Sequence, residues 1–435
     1  MSIEVAVDPP GLGITRWSVG RSVAFRFAFV YFGIYLLSEW LFRIPGLAIV
    51  GRVYSSGWQA VELWTAAHVL RITAPVDLHA LGTGSGDTLI DYLQLFCQTA
   101  VAAAAAIVWS VADAKRGSYD SLYEWLRVYI RYSLAIVMLS YGMAKVFPGQ
   151  FGAPTLDRLL EPYGHSSPMG LLWTFMGYSR PYAFFTGLVE CFAGVLLFSQ
   201  RTTTLGALLA TAAMGNVAML NFSYDVPVKL YSSHLLLLAV LLAVPDIRRL
   251  ISVFITNQPT SPAHVRKPFT SVWRHRAALI VKTIVITGAF WETATPFVLA
   301  MRQPPRPRSP HFGIYDVERF TVNGQVRPAT LMDRKQWRRV VINEGGGIAV
   351  QTMDDAMTRY RAKEDAARHT FEMSTIYSPY NKIVLTYRSP SSEELVLEGQ
   401  YDGEPIVATL RKRSLPSFLL NQRGFHWINE YPYNR

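Results

Sequence analysis

Seven apolar stretches occupy the first 300 residues of the chain, and a polar tail covers residues 301–435. The clearest stretch contains Leu235–Leu242, which carries no charge. Together with its flanks it reaches the roughly 20 residues that a helix needs to cross a bilayer. This division predicts an integral membrane protein with one soluble domain.

We predict that the apolar stretches form an all-α membrane bundle of about seven helices. Apolar residues also recur at helix-like spacing within the long connection 43–88, which predicts a helix lying at the membrane interface with tryptophan as its anchor. These residues are Trp58, Val61, Leu63, Trp64, Ala67, Val69 and Leu70. A short re-entrant helix is the competing interpretation. The predicted membrane helices are Ser22–Phe42, Leu89–Ala112, Tyr123–Phe147, Pro181–Ser199, Thr202–Leu220, Lys229–Leu250 and Ala277–Ala300.

The net charge of +11 is unevenly distributed along the chain. Residues 247–282 contain seven basic residues and no acidic residue, between two apolar segments. This pattern is typical of a cytoplasmic loop, and no nucleic-acid-binding fold surrounds it, so we expect no nucleic-acid partner. The charge distribution predicts a multi-pass protein of the inner (plasma) membrane, with the lipid bilayer as a partner. Loops 43–88, 148–180 and 221–228 and the tail would then be extracytoplasmic.

The tail follows a proline-rich linker, Gln303–Pro310, and shows the period of β-strands. Glu394–Glu398 and Ile406–Leu410 flank Asp402-Gly403, and Asn323-Gly324 marks a second hairpin, since both dipeptides favour tight hairpin turns. About eight short strands predict a small antiparallel barrel or sandwich. Other strand candidates are Arg339–Ile342, Ile348–Gln351, Thr370–Met373, Lys382–Tyr387 and Ser417–Leu420.

Two parts of the tail do not follow the strand pattern. Asp354–Arg368 is predicted to be a helix or a long loop. The aromatic residues Trp427, Tyr431 and Tyr433 near the end of the chain are predicted to plug the barrel or to dock on the bundle.

Ionisable side chains within the predicted helices are the first candidates for chemistry, because each is costly in a membrane unless it is paired or hydrated. The third helix carries Arg127, Arg131 and Lys145. Arg127 and Lys145 share one azimuth and Arg131 lies about 40° away, which predicts a cationic stripe facing the bundle interior. Glu190 lies on the fourth helix, near small residues that permit close helix packing.

A polar pocket opening outward is predicted where these helices meet the 221–228 loop. The alternative is that Lys145–Glu190 and Asp225–Lys229 are structural ion pairs and that His234 is a packing residue. The candidate lining residues are Lys145, Asn216, Asn221, Tyr224, Asp225, Lys229 and His234, with Glu190 deeper.

The glycine-rich segment Gly82–Thr88 suggests a phosphate-binding loop but lacks the lysine of that motif and a preceding strand. A capping box formed by Thr88 and Asp91 is the favoured interpretation, and a loop gating the pocket is the alternative. The nine histidines are scattered, and the sequence contains no metal, haem or flavin motif.

Residues 123–250 resemble the DoxX family of four-helix membrane proteins. The matching segments are Tyr141–Phe147, Gly187–Gly194 and Arg201–Ala207. The whole chain resembles larger DoxX-like proteins that add flanking helices and a β-rich tail. The expected parts are 1–122 with two helices and the outer loop, 123–250 with the four-helix core, 251–300 with the basic loop and last helix, and 301–435 with the β-rich domain.

The resemblance implies a redox-associated membrane subunit, with Lys145 and Glu190 as the residues carried over. Such a subunit would bind a quinone or a small sulfur anion and would meet a redox partner protein. Arg131 and Lys229 would supply positive charge, and Glu190 would relay a proton. The alternative hypothesis is a non-enzymatic scaffold that presents the β-domain at the outer surface and binds a lipid or a protein partner.

Overall fold

The computed structural model describes residues 16–74, 76–78, 83–147, 149–260, 271–303, 308–375, 380–414 and 418–434. These residues form two compact units. The first comprises the described residues up to 150 together with 181–298, and is helical. The second comprises 151–180 and the described residues from 299 onward, and contains the sheet. Pro148 and residues 304–307 of the proline-rich linker lie outside the described residues.

All seven predicted membrane segments are helical. Five of the described helices, α1, α3, α7, α8 and α11, are long and apolar enough to cross a membrane. The total number of spans stays a prediction. The helices are α1 Val19–Arg43, α2 Ala48–His68, α3 Leu89–Ala112, α4 Asp120–Val146, α5 Leu156–Leu160, α6 Pro168–Tyr178, α7 Arg180–Leu197, α8 Thr203–Ser223, α9 Lys229–Ala243, α10 Ile247–Phe254, α11 Val272–Arg302 and α12 Leu419–Gln422.

The apolar surface of the helical unit is largely on its outside. On α3, Ile107, Val108 and Val111 are 66%, 69% and 78% exposed. A soluble protein buries such side chains, whereas a bilayer solvates them. The exposed faces therefore agree with helices that contact lipid.

The predicted C-terminal end of the sixth helix, Leu250, is wrong. α9 stops at Ala243, a 3₁₀ turn covers Val244–Asp246, and α10 starts at Ile247. Pro245 lies in this turn, and proline cannot donate the backbone hydrogen bond that would continue the helix.

The helix predicted within 43–88 is confirmed as α2. Glu62 on this helix is buried, whereas Val61 and Trp64 are exposed. At these positions a charged side chain faces the protein and apolar side chains face outward, the reverse of what is usual for a helix on a soluble domain.

Helices α4 and α7 approach each other closely through glycines. A Cβ atom placed on Gly142 would lie 2.6 Å from the Gly187 carbonyl oxygen, and one on Gly194 would lie 2.8 Å from the Ala135 carbonyl oxygen. The prediction that small residues near Glu190 admit a neighbouring helix is confirmed, and the neighbour is α4.

The second unit contains an eight-stranded antiparallel barrel. Its strands follow one another around the barrel, and β1 pairs with both β3 and β9, which closes it. The short β2 only extends β1 in a hairpin. The strands are β1 Gly313–Val322, β2 Gln325–Val326, β3 Trp337–Ile342, β4 Gly347–Thr352, β5 Met357–Asp365, β6 Thr370–Ser374, β7 Ile383–Arg388, β8 Glu394–Tyr401 and β9 Glu404–Arg413.

Both predicted hairpin turns are confirmed. Asn323 and Gly324 have φ of 50° and 79°, and Asp402 and Gly403 have φ of 51° and 78°. Two successive positive φ angles define the turn whose twist matches paired strands, and asparagine, aspartate and glycine adopt them most readily.

Three predictions for the tail are wrong. Asp354–Arg368 contains the strand β5, which pairs with β4 and β6; its Arg361 and Lys363 side chains are exposed because one side of a barrel strand is hydrated. Leu419 and Leu420 belong to the short helix α12, and Ser417 lies outside the described residues. Trp427 and Tyr431 do not plug the barrel but are 90% and 84% exposed, since side chains of the strands already fill the barrel.

The connection 151–180 packs on the barrel through a charged cluster. Asp157 of α5 accepts hydrogen bonds from Asn343 at 2.8 Å and from Arg359 at 2.5 Å, and Arg359 also reaches Glu161 at 3.1 Å. Burial raises the pKa of the Asp157 carboxyl, but hydrogen bonds from Thr155, Arg359 and Asn343 outweigh it and lower the pKa overall. The contacts fix this segment to the barrel.

The close packing of α4 and α7 predicts the effect of added methyl groups. Gly142→Ala should lower the melting temperature in detergent, with a cost of about 1–3 kcal/mol from overpacking. The control Gly215→Ala places its Cβ 4.0 Å from Leu236 Cδ1, an ordinary contact, and should be neutral or stabilising by up to about 1 kcal/mol. Equal stability of the two variants would contradict the packing.

Candidate functional site

Lys145 and Glu190 form a buried ion pair between α4 and α7. The Lys145 Nζ atom lies 2.7 Å from Oε1 and 2.6 Å from Oε2 of Glu190. The side chains are only 6% and 3% exposed. The ammonium therefore bridges both carboxylate oxygens, and this geometry satisfies each charge with the other.

The other two cations of the predicted stripe have separate partners. Arg131 is buried and donates to the Thr203 hydroxyl at 3.3 Å. Arg127 lies 3.7 Å from Glu124 on its own helix. The cations of α4 are therefore not gathered into one anion site.

Three of the predicted pocket residues, Asn221, Asp225 and Lys229, stabilise the turn between α8 and α9. Asn221 donates to the Ser232 hydroxyl at 3.0 Å, and Lys229 lies 2.8 Å from Asp225, whose side chain is 84% exposed. Tyr224 is half-buried at the end of α8 and Asn216 is exposed on that helix.

The glycine-rich segment has a capping role. Thr88 and Asp91 form the predicted capping box at the start of α3. The Asp87 carboxylate accepts hydrogen bonds from the backbone N–H groups of Lys229 and Leu230 at 2.8 and 2.9 Å, so it also caps α9. The capping interpretation is confirmed for the described residues; Gly82 lies outside them.

A cavity of about 310 Å³ lies between α1, α3, α9 and the segment 84–86. Its volume is at the lower end of the range, roughly 300–1,000 Å³, that small-molecule sites occupy. Of the predicted pocket residues, His234 is the one that lines it. Its polar and aromatic lining includes Tyr35, Asp91, Gln98, Tyr231 and His234.

His234 is held in one orientation by two hydrogen bonds. Its Nδ1 atom lies 2.7 Å from the Leu230 carbonyl oxygen, and its Nε2 atom lies 2.6 Å from the Tyr31 hydroxyl. A carbonyl only accepts, so Nδ1 carries the proton, and in the neutral ring Nε2 accepts from Tyr31. The Tyr35 ring stacks on the imidazole at a centroid distance of 4.5 Å. The cavity wall thus contains the stacked rings of Tyr35 and His234, and His234 is also hydrogen-bonded to the Tyr31 hydroxyl.

Gln98 and Tyr231 complete the polar wall. Gln98 is 3% exposed, and its Oε1 atom has no hydrogen-bond partner among the described residues. Tyr231 donates to Glu39 at 2.9 Å, and its ring lies 6.2 Å from that of Tyr141. A buried acceptor without a donor is rare in folded proteins.

Glu62 is a second buried acceptor close to the cavity wall. It is 4% exposed, and its Oε1 atom has no partner among the described residues. Burial first, and the neighbouring negative charge of Asp91 second, raise the pKa of the Glu62 carboxyl to about 7. The carboxyl groups of Glu62 on α2 and Asp91 on α3 are therefore close enough for the charge of Asp91 to raise the pKa of Glu62.

Sequence analysis missed most of the cavity. Tyr31, Tyr35 and Glu39 recur every four residues on α1, and Asp91 and Gln98 are seven residues apart on α3. Each set therefore shares one helix face. This periodicity of polar groups on otherwise apolar helices was the available signal.

No group of three or more His, Cys, Asp or Glu residues in the described part of the chain is arranged to hold a metal ion. The two cysteines, Cys97 and Cys191, are both free thiols.

The fold and the cavity define a class of helical, membrane-type proteins that carry an eight-stranded barrel. The chain is 34% identical over 137 residues to the uncharacterized protein YwoB of Bacillus subtilis (strain 168), and the match covers 86% of that protein and 32% of this chain. The chain therefore belongs to the same family as YwoB. No protein-family model matches the chain, and no solved structure matches it.

The buried Glu62 carboxyl predicts a pH-dependent stability. Because its pKa is raised in the folded state, its contribution is complete below the ordinary glutamate range and is lost as the pH rises through about 7. Glu62→Gln should therefore melt like the wild type at pH 4 and be more stable at pH 8, by about 1–3 kcal/mol. Melting curves across this range test it, with Glu124→Gln, whose side chain is more exposed, as the control. A constant difference at all pH values would contradict the assignment.

Proposed function

We propose that this chain is a redox-associated, DoxX-like membrane protein that binds a quinone headgroup in the cavity between α1, α3 and α9. The observation that carries the proposal is the cavity wall itself. There, the stacked Tyr35–His234 pair adjoins a buried, unpartnered amide oxygen of Gln98. In this proposal, the five apolar helices cross the inner (plasma) membrane, and the barrel is extracytoplasmic.

A quinone headgroup fits this wall in shape and chemistry. It is a flat ring, and the rings of Tyr35 and Tyr231 offer faces and edges on which such a ring packs. Its oxygen atoms lie in the ring plane, where hydroxyl and amide groups of the wall can reach them. A mostly apolar site with a few placed polar groups is the usual form of a small-molecule site.

The charge of the wall favours a quinone over a small sulfur anion. Asp91 is acidic, and none of the described residues that line the cavity is a lysine or an arginine. Lys145 is committed to Glu190, and Lys229 lies against Asp225 and Asp87. A dianion would meet a negative wall without a compensating cation.

The chemistry requires protons and an electron partner. Reduction of a quinone to a quinol takes two electrons and two protons, and the hydrogen-bonded Tyr31–His234 pair lies beside the cavity as a proton route. In the proposal, the electrons pass between the quinone and a partner redox protein. Glu190 does not line the cavity, so in this proposal the Tyr31–His234 pair and not Glu190 passes the proton.

A second candidate function is a scaffold that recruits a protein or a lipid surface. The observation in its favour is the C-terminal segment, in which Phe425, Trp427, Ile428 and Tyr431 are each more than three-quarters exposed. Exposed aromatic clusters of this kind are typical of interaction sites. The scaffold function does not require a ligand in the cavity, which separates the two candidates experimentally.

The test is mass spectrometry of organic extracts from the gently purified protein. We expect near-stoichiometric quinone in the wild type and at least about tenfold less in Gln98→Leu, because the substitution removes a polar contact worth about 1.4 kcal/mol or more. Asn216→Leu is the matched control, since Asn216 is exposed and outside the cavity lining.

Absence of quinone from the wild type would contradict the proposal and favour the scaffold. Equal quinone in the wild type and Gln98→Leu would show that bound quinone is elsewhere, and would also contradict the cavity assignment.

A further inference from the structure

The short helix α10 is amphipathic, and none of its residues is buried. At 100° per residue, its four largest apolar side chains fall within an arc of about 100°, and both of its arginines lie outside that arc. Phe254, near the centre of the arc, is 75% exposed. An apolar face of this kind is unfavourable in water. Its four side chains are Ile247, Leu250, Ile251 and Phe254.

The place of α10 in the chain puts this face at a membrane surface. The helix follows α9, a predicted membrane helix, after the 3₁₀ turn at Val244–Asp246. The next described helix, α11, is long and apolar enough to cross a bilayer. A segment that joins two membrane helices stays at one surface. A helix there with an apolar side and basic flanks lies in the plane of the interface, with its apolar side at the acyl-chain boundary.

The charge around this face is positive. Residues 247–282 contain seven basic residues and no acidic residue. Arg248 is exposed on α10, and Arg274 and Arg276 are exposed at the start of α11. Asp246, directly before α10, is already paired with an arginine of that helix at 2.6 Å. A ligand at this surface therefore meets a cationic field.

Trp273 is an independent sign of the interface. It is 68% exposed at the start of α11, and the Arg274 guanidinium carbon lies 5.7 Å from the centroid of its ring. Tryptophan is enriched at the headgroup level of membranes because its ring is amphipathic. An arginine at the same level reaches phosphate groups, which its planar guanidinium binds well.

We propose that α10 and the start of α11 bind anionic phospholipid in the leaflet that residues 247–282 face. The apolar side of α10 enters the acyl-chain boundary, and Arg248, Arg274 and Arg276 bind the phosphate groups. A second copy of this chain would also cover the apolar side, but it would bring like charges together. The inference rests on the membrane placement within the proposed function and not on the quinone.

The first experiment counts the lipids that the full-length protein retains. The protein is exchanged in detergent with equal amounts of phosphatidylglycerol and phosphatidylcholine, and bound lipids are counted by native mass spectrometry. The wild type should retain phosphatidylglycerol in excess. Arg248→Gln should lower the ratio of the two bound lipids about fivefold, the effect of one basic residue at an anionic surface. The control Arg52→Gln, at an exposed position on α2, should leave the ratio unchanged. Melting temperatures identify any variant that fails to fold.

The second experiment identifies what covers the apolar side of α10 in native membranes. A benzophenone amino acid in place of Phe254 should cross-link phospholipid on illumination. The same group in place of Ser252, on the opposite side of α10, should cross-link less lipid. In place of Val108, exposed on α3, it reports whether the long apolar helices contact lipid.

The outcomes separate the inference from the proposed function. Equal retention of both lipids by the wild type, or an equal loss of preference in Arg52→Gln, overturns the anionic-lipid site. Cross-links from position 254 to a protein instead of lipid also overturn it. In either case, lipid cross-links from position 108 leave the membrane placement intact. If position 108 gives none, the membrane placement fails and the inference with it. Quinone content, measured separately, tests the rest of the proposed function.

Discussion

The bundle depends on one buried ion pair, that between Lys145 and Glu190. A lone charge inside a membrane bundle is costly, and two opposite charges at 2.6–2.7 Å offset much of that cost only when the helices hold them together. Gly142 and Gly187 make this possible, because a side chain at either position would collide with the opposite backbone. The glycines and the ion pair are therefore two parts of one contact between α4 and α7.

The buried polar groups of the helical unit are of two kinds: those whose hydrogen bonds are made within the fold, and those with an atom that has no described partner. Lys145, Glu190 and Asp87 satisfy one another or cap helices, and their hydrogen-bonding capacity is used within the fold. Gln98 and Glu62 are different, since each has a buried oxygen without a described partner. Native proteins rarely leave such atoms unsatisfied. For this reason we place the proposed function at the cavity beside α3 and not at the Lys145–Glu190 pair.

Much of the architecture was predictable because it depends on local signals. Continuous apolar stretches identified the helices, and Asn323-Gly324 and Asp402-Gly403 identified hairpins, since few residues adopt two successive positive φ angles. The strand β5 was missed because its alternating charges are as compatible with a helix as with a hydrated barrel strand. Closure of the sheet depends on pairing of β1 with β9, about 90 residues apart, which no local pattern encodes.

The site was harder to predict than the fold. The sequence identified which side chains were ionisable but not which of them had partners. Lys145 and Glu190 were found correctly as neighbours, whereas Tyr35, Gln98 and Tyr231 were missed because uncharged polar residues are unremarkable in a helix. A cavity arises from the arrangement of three helices, α1, α3 and α9, whose contacts join residues far apart in the chain.

A double-mutant cycle on Lys145 and Glu190, with quinone content measured in the same samples, tests this account most directly. Lys145→Met and Glu190→Leu should each destabilise the bundle by about 3–5 kcal/mol, because each leaves one buried charge unpaired. The double variant should recover most of that loss, and quinone per folded molecule should stay at the wild-type level. Single variants that keep wild-type stability but lose the quinone would show that the pair is the functional site, and would contradict the account.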